Sequence, residues 1–262
     1  MSILIEKANQ EYISNGYSDV IHNINNISFP LNTTDKKIAI AVSGGADSAI
    51  LAYTICSIIT DKKLDIDIHI ISTIRNWKSK PWQEYNASEV YNYLVNKFSN
   101  INFKKHINFV PPEFEWGSIG ANMIDEYGNN QSGDIIELRA FSEYIVHHNQ
   151  VDSWYVGVTK NPAAIPSDGG MQNRNLDTIT IDKIIIKREN VTIYRPFLHL
   201  EKDSVISLYK YFNAMDLLGL TRSCEGDVIG LTHKNYIKGQ YVPTCGECFW
   251  CREREWGLKN AK

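Results

Sequence analysis

The feature that most constrains the fold of this chain is a glycine pair that lies between two apolar segments. Residues 37–42 are mostly apolar and too few for a helix, as in a strand that is buried on both faces. Residues 46–60 are rich in Ala, Ile and Leu and predict a helix. The junction Ser43-Gly44-Gly45-Ala46-Asp47-Ser48 therefore connects a buried strand directly to a helix.

A junction of this kind favours a bound anion such as pyrophosphate, because backbone N–H groups and a helix N-terminus converge on one point. Gly44 and Gly45 would let the backbone approach phosphates without interference from a Cβ atom. Ser43 and Ser48 would donate hydroxyl hydrogen bonds, and Asp47 would cap the helix or hold Mg²⁺. The alternative is an ordinary strand-to-helix turn capped by Asp47. The complete hexapeptide favours the phosphate-binding interpretation.

The strand–helix pattern repeats along the chain. It predicts further strands at 64–73, 102–110, 154–158, 178–187 and 191–196, and helices at 88–98, 134–148 and 201–212. This alternation predicts an α/β fold with a doubly wound parallel sheet and helices on both faces. Ligands of such sheets bind beyond the carboxyl ends of the strands, where Ser43, Thr73 and Thr159 fall. Residues 161–175 have the composition of a loop that borders this crevice.

Four of the five cysteines lie near the C-terminus, with spacing that suits a metal. Cys245, Cys248 and Cys251 form two consecutive C-x-x-C pairs, and Cys224 supplies a fourth thiolate from upstream. Zinc favours four thiolates in a closed tetrahedron with bonds of ~2.3 Å, which predicts a structural Zn²⁺ site. An iron–sulfur cluster is the alternative. Cys56 stands alone in the helix after the loop and is expected to be a core residue.

The two ends of the chain carry weaker patterns. A weak helical period through Ile13, Tyr17 and Ile24 predicts a leading helix, whereas residues beyond about 220 show little periodicity. The simplest division is an N-terminal helical extension at 1–35, a nucleotide-binding α/β domain at 36–219 and a C-terminal zinc-bound segment at 220–262.

Composition and charge restrict the classes of partner. The formal net charge is −3 and the basic residues are scattered, so attraction to a phosphate backbone is not expected to dominate and a nucleic-acid partner is not the first expectation. The N-terminus lacks an export signal, and no apolar run reaches the roughly 18–20 residues that span a bilayer. We therefore expect a cytoplasmic protein with no membrane contact.

The loop from Ser43 to Ser48 resembles the SGGxDS signature of the PP-loop ATP pyrophosphatases. The resemblance implies an adenine nucleotide alpha hydrolase-like (HUP) fold. It also implies that ATP is cleaved between its α and β phosphates, that AMP is transferred to a carboxylate, amide or carbonyl oxygen, and that a nucleophile then displaces AMP. The chain lacks the Walker A pattern G-x-x-x-x-G-K-[ST], which disfavours γ-phosphoryl transfer.

The C-terminal pattern resembles the 7-cyano-7-deazaguanine synthase (QueC) family, in which a cysteine is followed later by CGxCxxCxxR. Here Thr221-Arg222-Ser223-Cys224 precedes the run from Cys245 to Arg254. The resemblance implies 7-carboxy-7-deazaguanine and ammonia as substrates. ATP would activate first the carboxylate and then the amide, giving a nitrile through two adenylates. The resemblance also suggests a homodimer.

Several residues outside the loop are assigned through the same resemblance. Arg139, Gly157 and Thr159 would lie on the ATP side of the crevice, together with Thr73. Lys202 would face the phosphates, unless it is only a solvated lysine at a helix start. With Mg²⁺ and the loop residues Ser43, Asp47 and Ser48, Lys202 would stabilise the charge on departing pyrophosphate.

The residues that would surround the substrate depart from the family pattern. Residues 161–175 replace its Tyr-Pro-Asp-Cys-Arg stretch, where Pro166, Asp168 and Arg174 are the candidate counterparts. Trp77, Trp82 or Trp116 would either stack on a flat ring or pack in the core.

This departure leaves three alternatives open. The first alternative is a diverged relative of the QueC family that adenylates another substrate or stops at the amide. The second is an enzyme of ATP-dependent tRNA thiolation or lysidine-type modification. The third is an inactive nucleotide-binding zinc scaffold. The intact loop argues against the scaffold.

Overall fold

A computed structural model describes residues 3–17, 20–74, 81–109, 123–124, 130–131, 142, 146–166, 180–188, 190–226, 231 and 235–262. Its central sheet contains seven strands within these ranges. They are β3 (Lys37–Ala41), β4 (Asp67–Thr73), β5 (Asn102–Phe103), β6 (Ile107–Phe109), β9 (Ser153–Tyr155), β10 (Ile185–Lys187) and β11 (Thr192–Tyr194). Two short strand pairs lie outside this sheet: β1 (Ile21–Ile24) with β2 (Ile27–Pro30), and β7 (Met123–Ile124) with β8 (Asn130–Gln131).

The strand order is β10-β11-β9-β3-β4, with β5 and β6 both pairing with β4. Every pair in this sheet is parallel except the edge pair β10–β11. β3 lies between β4 and β9, so the loop that follows it leaves the middle of the sheet. The structure confirms the predicted α/β fold with a mostly parallel sheet.

Both faces of the sheet are buried, as the apolar run of β3 predicts. Ile38 and Ile40 contribute to the large core cluster, whereas Ala39, between them, contributes to a second cluster with Trp154 and Val146. Side chains of consecutive strand residues point to opposite faces, so this division places a core on each side.

The helices after the first strands are α2 (Ala46–Lys62), α3 (Gln83–Lys97), α5 (Lys202–Tyr211), α6 (Met215–Leu220) and α7 (Phe249–Asn260). α2 buries most of its residues and joins the large core cluster, as its composition predicts. Sequence periodicity identified α2, α3 and α5 but missed α6 and α7. None of the helices within the described ranges combines the length and apolar character needed to cross a bilayer.

The N-terminal segment differs from its prediction. The helix α1 (Ile3–Ser14) ends before Tyr17, and residues 21–30 form the antiparallel pair β1–β2. Asn25 and Asn26, which connect the two strands, both have positive φ. Two consecutive residues of this kind are typical of a tight hairpin turn, for which Asn is suited. The predicted helical period through Ile24 was therefore wrong beyond α1.

Two predicted strands also differ in detail. The region 178–187 contains a short helix α4 (Ile181–Ile184) before β10, and the strand at 102–110 is split into β5 and β6. Of the predicted helix 134–148, the described residues 142 and 146–148 are helical. Arg139, Trp77, Trp116, Asp168 and Arg174 lie outside the described residues.

Candidate active site

The hexapeptide forms the predicted junction between β3 and α2. Gly44 has φ +77°, and a Cβ atom there would lie 2.8 Å from the backbone nitrogen of Ala87 and 2.9 Å from Cβ of Asn86. Only glycine combines this conformation with such a close approach to α3. The loop is thus held against the N-terminal half of α3, which the sequence alone did not indicate.

Hydrogen bonds within the hexapeptide fix its shape. The backbone N–H of Ser43 donates to Oγ of Ser48 at 3.1 Å, and Oγ of Ser48 donates to the carbonyl of Gly45 at 3.2 Å. Ser48 is buried, whereas Ser43 is exposed. The two serines therefore differ in burial, although their hydroxyl groups lie 3.2 Å apart: Ser48 supports the loop from inside, and Ser43 lies at its exposed side.

Asp47 does not cap α2. The N-cap residue is Gly45, which makes no side-chain cap hydrogen bond. The carboxylate of Asp47 accepts a hydrogen bond from Nζ of Lys202 at 2.5 Å. The predicted capping of α2 by Asp47 is therefore wrong, and this side chain is engaged with a second helix.

Lys202 is the first residue of α5 and is 1% exposed. Its ammonium group contacts Asp47 and also lies 3.2 Å from Oε2 of Glu253, which is 0% exposed. Lys202 is therefore not a solvated surface lysine. It bridges the loop to α7 in a buried ion triad of one cation and two carboxylates. Glu253 was not identified from the sequence, since it is 51 residues from Lys202 and sits within the Cys-x-x-Arg pattern.

The segment after β9 contacts the same loop. A Cβ atom on Gly157 would lie 3.1 Å from backbone atoms of Asp47 and Ser48, so glycine permits this approach. Oγ1 of Thr159 donates to Oδ2 of Asp47 at 3.4 Å. The structure thus brings Gly157, Thr159 and Lys202, all predicted site residues, to Asp47. Thr73 ends the neighbouring strand, where its hydroxyl lies 2.6 Å from that of Ser142.

Tyr209 of α5 holds the start of α2 in place. Its hydroxyl donates to the carbonyl of Ala46 at 2.6 Å. Burial raises the pKa of Tyr209 well above its usual value, and the negative charge of Asp47 raises it further. Tyr209 therefore stays protonated and remains a hydrogen-bond donor. This contact fixes the first turn of α2, on which the anion-binding geometry depends.

The four C-terminal cysteines converge as predicted. All four Sγ atoms lie within 4.8 Å of one another, and Sγ of Cys245 is 3.6 Å from that of Cys224 and 3.9 Å from that of Cys251. Four thiolates at ~2.3 Å from one tetrahedral ion are separated by roughly 3.8 Å. A four-iron cluster attaches each thiolate to a different iron and would spread the sulfurs further. The spacing fits a single metal ion.

The segment that leads into this cluster lies on the loop. The backbone N–H of Arg222 donates to the carbonyl of Gly44 at 2.9 Å, and the N–H of Ala46 donates to Oγ of Ser223 at 3.3 Å. Ser223 directly precedes the ligand Cys224. Sequence reasoning noted the segment 221–224 only as a match to a family pattern and did not anticipate that it touches the nucleotide loop.

A cavity of about 390 Å³ lies between this segment, α3 and the cysteine cluster. Its lining includes Trp82, Tyr85, Asn86, Arg222, Ser223 and Trp250. The guanidinium carbon of Arg222 is 4.0 Å from the ring centroid of Trp82, which is buried. Trp82 is thus covered by Arg222, and the cavity combines aromatic rings with polar groups.

Comparison with known proteins gives a mixed result. No family model matches the chain. The chain is 38% identical to the tRNA(Ile)-lysidine synthase of Rickettsia typhi (strain ATCC VR-144 / Wilmington) over 195 residues, which are 72% of this chain and 39% of that protein. The chain therefore spans about two fifths of the length of this curated relative.

Two solved structures are more distantly similar. One is the U34-tRNA thiolase NcsA from Methanococcus maripaludis with its [4Fe-4S] cluster, at 14% identity and a TM-score of 0.43, covering 97% of this chain and 72% of that one. The other is NAD+ synthetase from Burkholderia pseudomallei, at 10% identity and a TM-score of 0.37, covering 99% and 87%. These two likenesses are too weak to carry an argument.

The resemblance to the QueC family is not confirmed by these relatives. The similarity to a lysidine synthase instead matches the class of ATP-dependent tRNA modification that the sequence left open. The loop has the predicted strand–loop–helix geometry, with the glycine at the position that requires a positive φ. Together, the loop and the lysidine synthase match support the assignment of the chain to the PP-loop ATP pyrophosphatase superfamily.

Proposed function

We propose that this chain is a cytoplasmic enzyme that uses ATP to activate an oxygen of a tRNA base as an adenylate. The acceptor oxygen attacks the α-phosphorus of ATP, the bond from that phosphorus to the α,β-bridging oxygen breaks, and pyrophosphate leaves. A nitrogen or sulfur nucleophile then displaces AMP from the base. The observation that carries the proposal is the glycine-dependent loop between β3 and α2, supported by the lysidine synthase similarity. This proposal replaces the expectation that nucleic acid is not the main partner.

The loop residues would hold the pyrophosphate end of ATP. The hydroxyl of Ser43, a residue at the exposed side of the loop, and the N-terminus of α2 would provide hydrogen-bond donors at the point where negative charge increases as pyrophosphate leaves. Ser48 shapes the loop through its bonds to Ser43 and Gly45. Lys202 would fix Asp47 in place through their ion pair. Arg139 and Thr73 remain candidates for the ATP side.

Oxygen donors beside the loop fit Mg²⁺, which prefers carboxylate and hydroxyl ligands. Asp47 and Ser43 would hold the ion, and its charge would offset that of the phosphates. The four cysteines would hold Zn²⁺, because their spacing matches one tetrahedral ion. A site with four thiolates leaves no ligand position for substrate. We therefore assign it a structural role, fixing residues 221–224 against the loop.

A second candidate function is the conversion of 7-carboxy-7-deazaguanine and ammonia to the nitrile or to the amide. The observation that favours it is the cysteine pattern, since Cys224 and the run from Cys245 to Arg254 match the QueC family and converge in space. Both candidates require the same adenylation step. They differ in whether the flat acceptor is free or part of an RNA.

AMP release distinguishes the candidates. The purified protein is incubated with ATP, Mg²⁺ and a nucleophile, which is ammonium, lysine or sulfide in separate samples, and with either unfractionated tRNA or 7-carboxy-7-deazaguanine as the acceptor. We expect tRNA-dependent AMP, and a large loss of it in Asp47→Asn. AMP and a mass change with the free deazaguanine would support the second candidate. No AMP with either acceptor would contradict both and favour an inactive scaffold. Light scattering of the same sample tests the expected homodimer.

A further inference from the structure

The cavity beside the cysteine cluster has walls that belong to the nucleotide loop. Two residues of its lining bond to the backbone of the loop. The N–H of Arg222 donates to the carbonyl of Gly44, and Oγ of Ser223 accepts a hydrogen bond from the N–H of Ala46. Asn86, also in its lining, packs against Gly44. An acceptor oxygen must reach the α-phosphorus of an ATP whose pyrophosphate end is held by this loop. The cavity therefore adjoins the place where the acceptor has to bind.

Contacts among the lining residues connect the walls of the cavity to one another. The guanidinium group of Arg222 covers Trp82 and donates to the carbonyls of Val242 and Pro243. This one side chain thereby connects α3 to the segment that precedes Cys245. A rigid site loses less entropy when it binds a ligand. The volume of about 390 Å³ lies within the range of small-molecule sites, roughly 300–1,000 Å³.

A well-ordered turn stands at the rim of this cavity, and we name residues 236–241 the tyrosine turn. The N–H of Gln240 donates to the carbonyl of Ile237 at 2.9 Å, and Gly239 has φ +82°, which is typical of a type II turn. A Cβ atom on Gly239 would lie 3.3 Å from the ring of Tyr85, so the turn lies directly on α3.

The tyrosine turn presents apolar and basic side chains to solvent. Tyr241 is 89% exposed and Ile237 is 72% exposed. Between them, Lys238 is exposed and makes one surface ion pair, with Glu84 at 3.2 Å. Aromatic rings on which bases stack, with a cation near the backbone, are the common means of holding single-stranded nucleic acid.

We propose that this cavity receives the RNA base that is adenylated, and that the tyrosine turn holds the adjacent nucleotide through stacking on Tyr241 and contact of Lys238 with its phosphate. The proposal rests on the proposed function, because it assumes that the acceptor is a base. It also explains how a chain of net charge −3 can bind RNA: stacking and a few local cations replace a broad basic surface.

The rim is tested by binding. The probe is a fluorescein-labelled, mixed-sequence 12-nucleotide RNA, with unfractionated tRNA as competitor, measured by anisotropy. Tyr241→Ala should weaken binding about 5- to 100-fold, and Tyr241→Phe should restore it. The matched control is Tyr211→Ala, which removes a 56% exposed tyrosine from α5. Lys238→Ala should reduce the slope of the logarithm of the RNA affinity against the logarithm of the salt concentration by about 1, as expected for the loss of one phosphate contact. Its control is Lys259→Ala, which removes another exposed, ion-paired lysine.

The cavity is tested by filling it. Gly219 lies in its lining, and a Cβ atom there would meet no atom within 4 Å. Gly219→Leu therefore places its Cβ atom in open space, adds side-chain volume at the cavity wall and also favours the helix α6. We expect this variant to melt no lower than the wild type and to lose at least 10-fold in RNA-dependent AMP release.

The outcomes separate this inference from the function on which it rests. Binding that depends on Tyr241 without any AMP release would contradict the adenylation and leave the RNA surface in place. RNA-dependent AMP release that neither Tyr241→Ala nor Gly219→Leu changes would overturn the inference and leave the adenylation. AMP release with free 7-carboxy-7-deazaguanine that Gly219→Leu abolishes and Tyr241→Ala does not change would overturn the RNA part of the proposal.

Discussion

The buried ion triad of Asp47, Lys202 and Glu253 makes a sharp prediction about stability. Lys202→Met keeps the length of the apolar stem but removes the cation, leaving Glu253 fully buried beside a second carboxylate. Breaking a buried ion pair in this way costs about 3–5 kcal/mol, mainly because the remaining charge is unpaired in a region of low polarity. We expect Lys202→Met to lower the free energy of unfolding by this amount in urea denaturation followed by circular dichroism.

The physical reason is tested by a second substitution. Glu253→Gln alone keeps the contact between Lys202 and Asp47 and should cost only about 1 kcal/mol. In the double variant Lys202→Met/Glu253→Gln the buried charge is gone, so we expect a loss of about 1–2 kcal/mol, which is smaller than that of Lys202→Met alone. Lys259→Met on the same helix α7 removes an exposed ion pair with Glu255 and should change stability by less than about 0.5 kcal/mol.

Two results would refute this reasoning. One is a cost of less than about 1 kcal/mol for Lys202→Met, which would show that Glu253 is not the buried charge that the structure indicates. The other is additivity of the two substitutions, which would show that the residues do not interact. AMP formation provides a separate readout. Glu253→Gln should retain most activity, and Lys202→Met should lose it, because Asp47 then loses the group that orients it.

Three further predictions concern other parts of the chain. Elemental analysis should find one zinc per chain, and Cys248→Ser should lower both the zinc content and the melting temperature; iron in place of zinc would contradict this. Gly44→Ala should destabilise the protein by about 1–3 kcal/mol in denaturant titration and abolish AMP formation, because the new Cβ meets the backbone of α3; wild-type activity would contradict the loop geometry. Burial raises the pKa of Asp35 from 3.8 to about 6, so the folded state favours the protonated form. The protonated carboxyl of Asp35 therefore stabilises the folded state fully below pH about 4, and this contribution is lost as the pH rises through about 6. The stability difference between wild type and Asp35→Asn should follow this trend, and a pH-independent difference would refute it.

The sequence predicted the central strand β3 and the helix α2, but it missed the hairpin β1–β2 and the helix α7. β3 and α2 are buried apolar segments with a glycine junction, so local pattern was sufficient. The hairpin β1–β2 was missed because the isoleucines of residues 13–24 also fit a helical period. α7 was missed because it begins directly after Cys248, a residue of the cysteine cluster, and because its buried Glu253 breaks the expected apolar stripe.

Contacts between distant segments could not be inferred from pattern at all. The sequence placed Lys202 near the phosphates through resemblance, but its bridge to Glu253 depends on how α5 and α7 pack. A Cβ atom on Gly257 of α7 would lie 2.6 Å from Cγ of Lys202, so the lysine reaches the loop only because this position is a glycine. A glycine inside a helix is usually unfavourable, and here the close packing explains it.

The C-terminal segment acts on the nucleotide loop from two sides. Its first part brings Arg222 and Ser223 to the backbone of residues 44–46, and its last helix brings Glu253 to the lysine that holds Asp47. The four cysteines lie between these two contacts in sequence, so one metal ion would fix both at once. The predicted boundary at residue 220 would therefore divide the sheet and its loop from the segment that packs against that loop. Loss of the metal should impair ATP use, although no cysteine needs to touch the substrate.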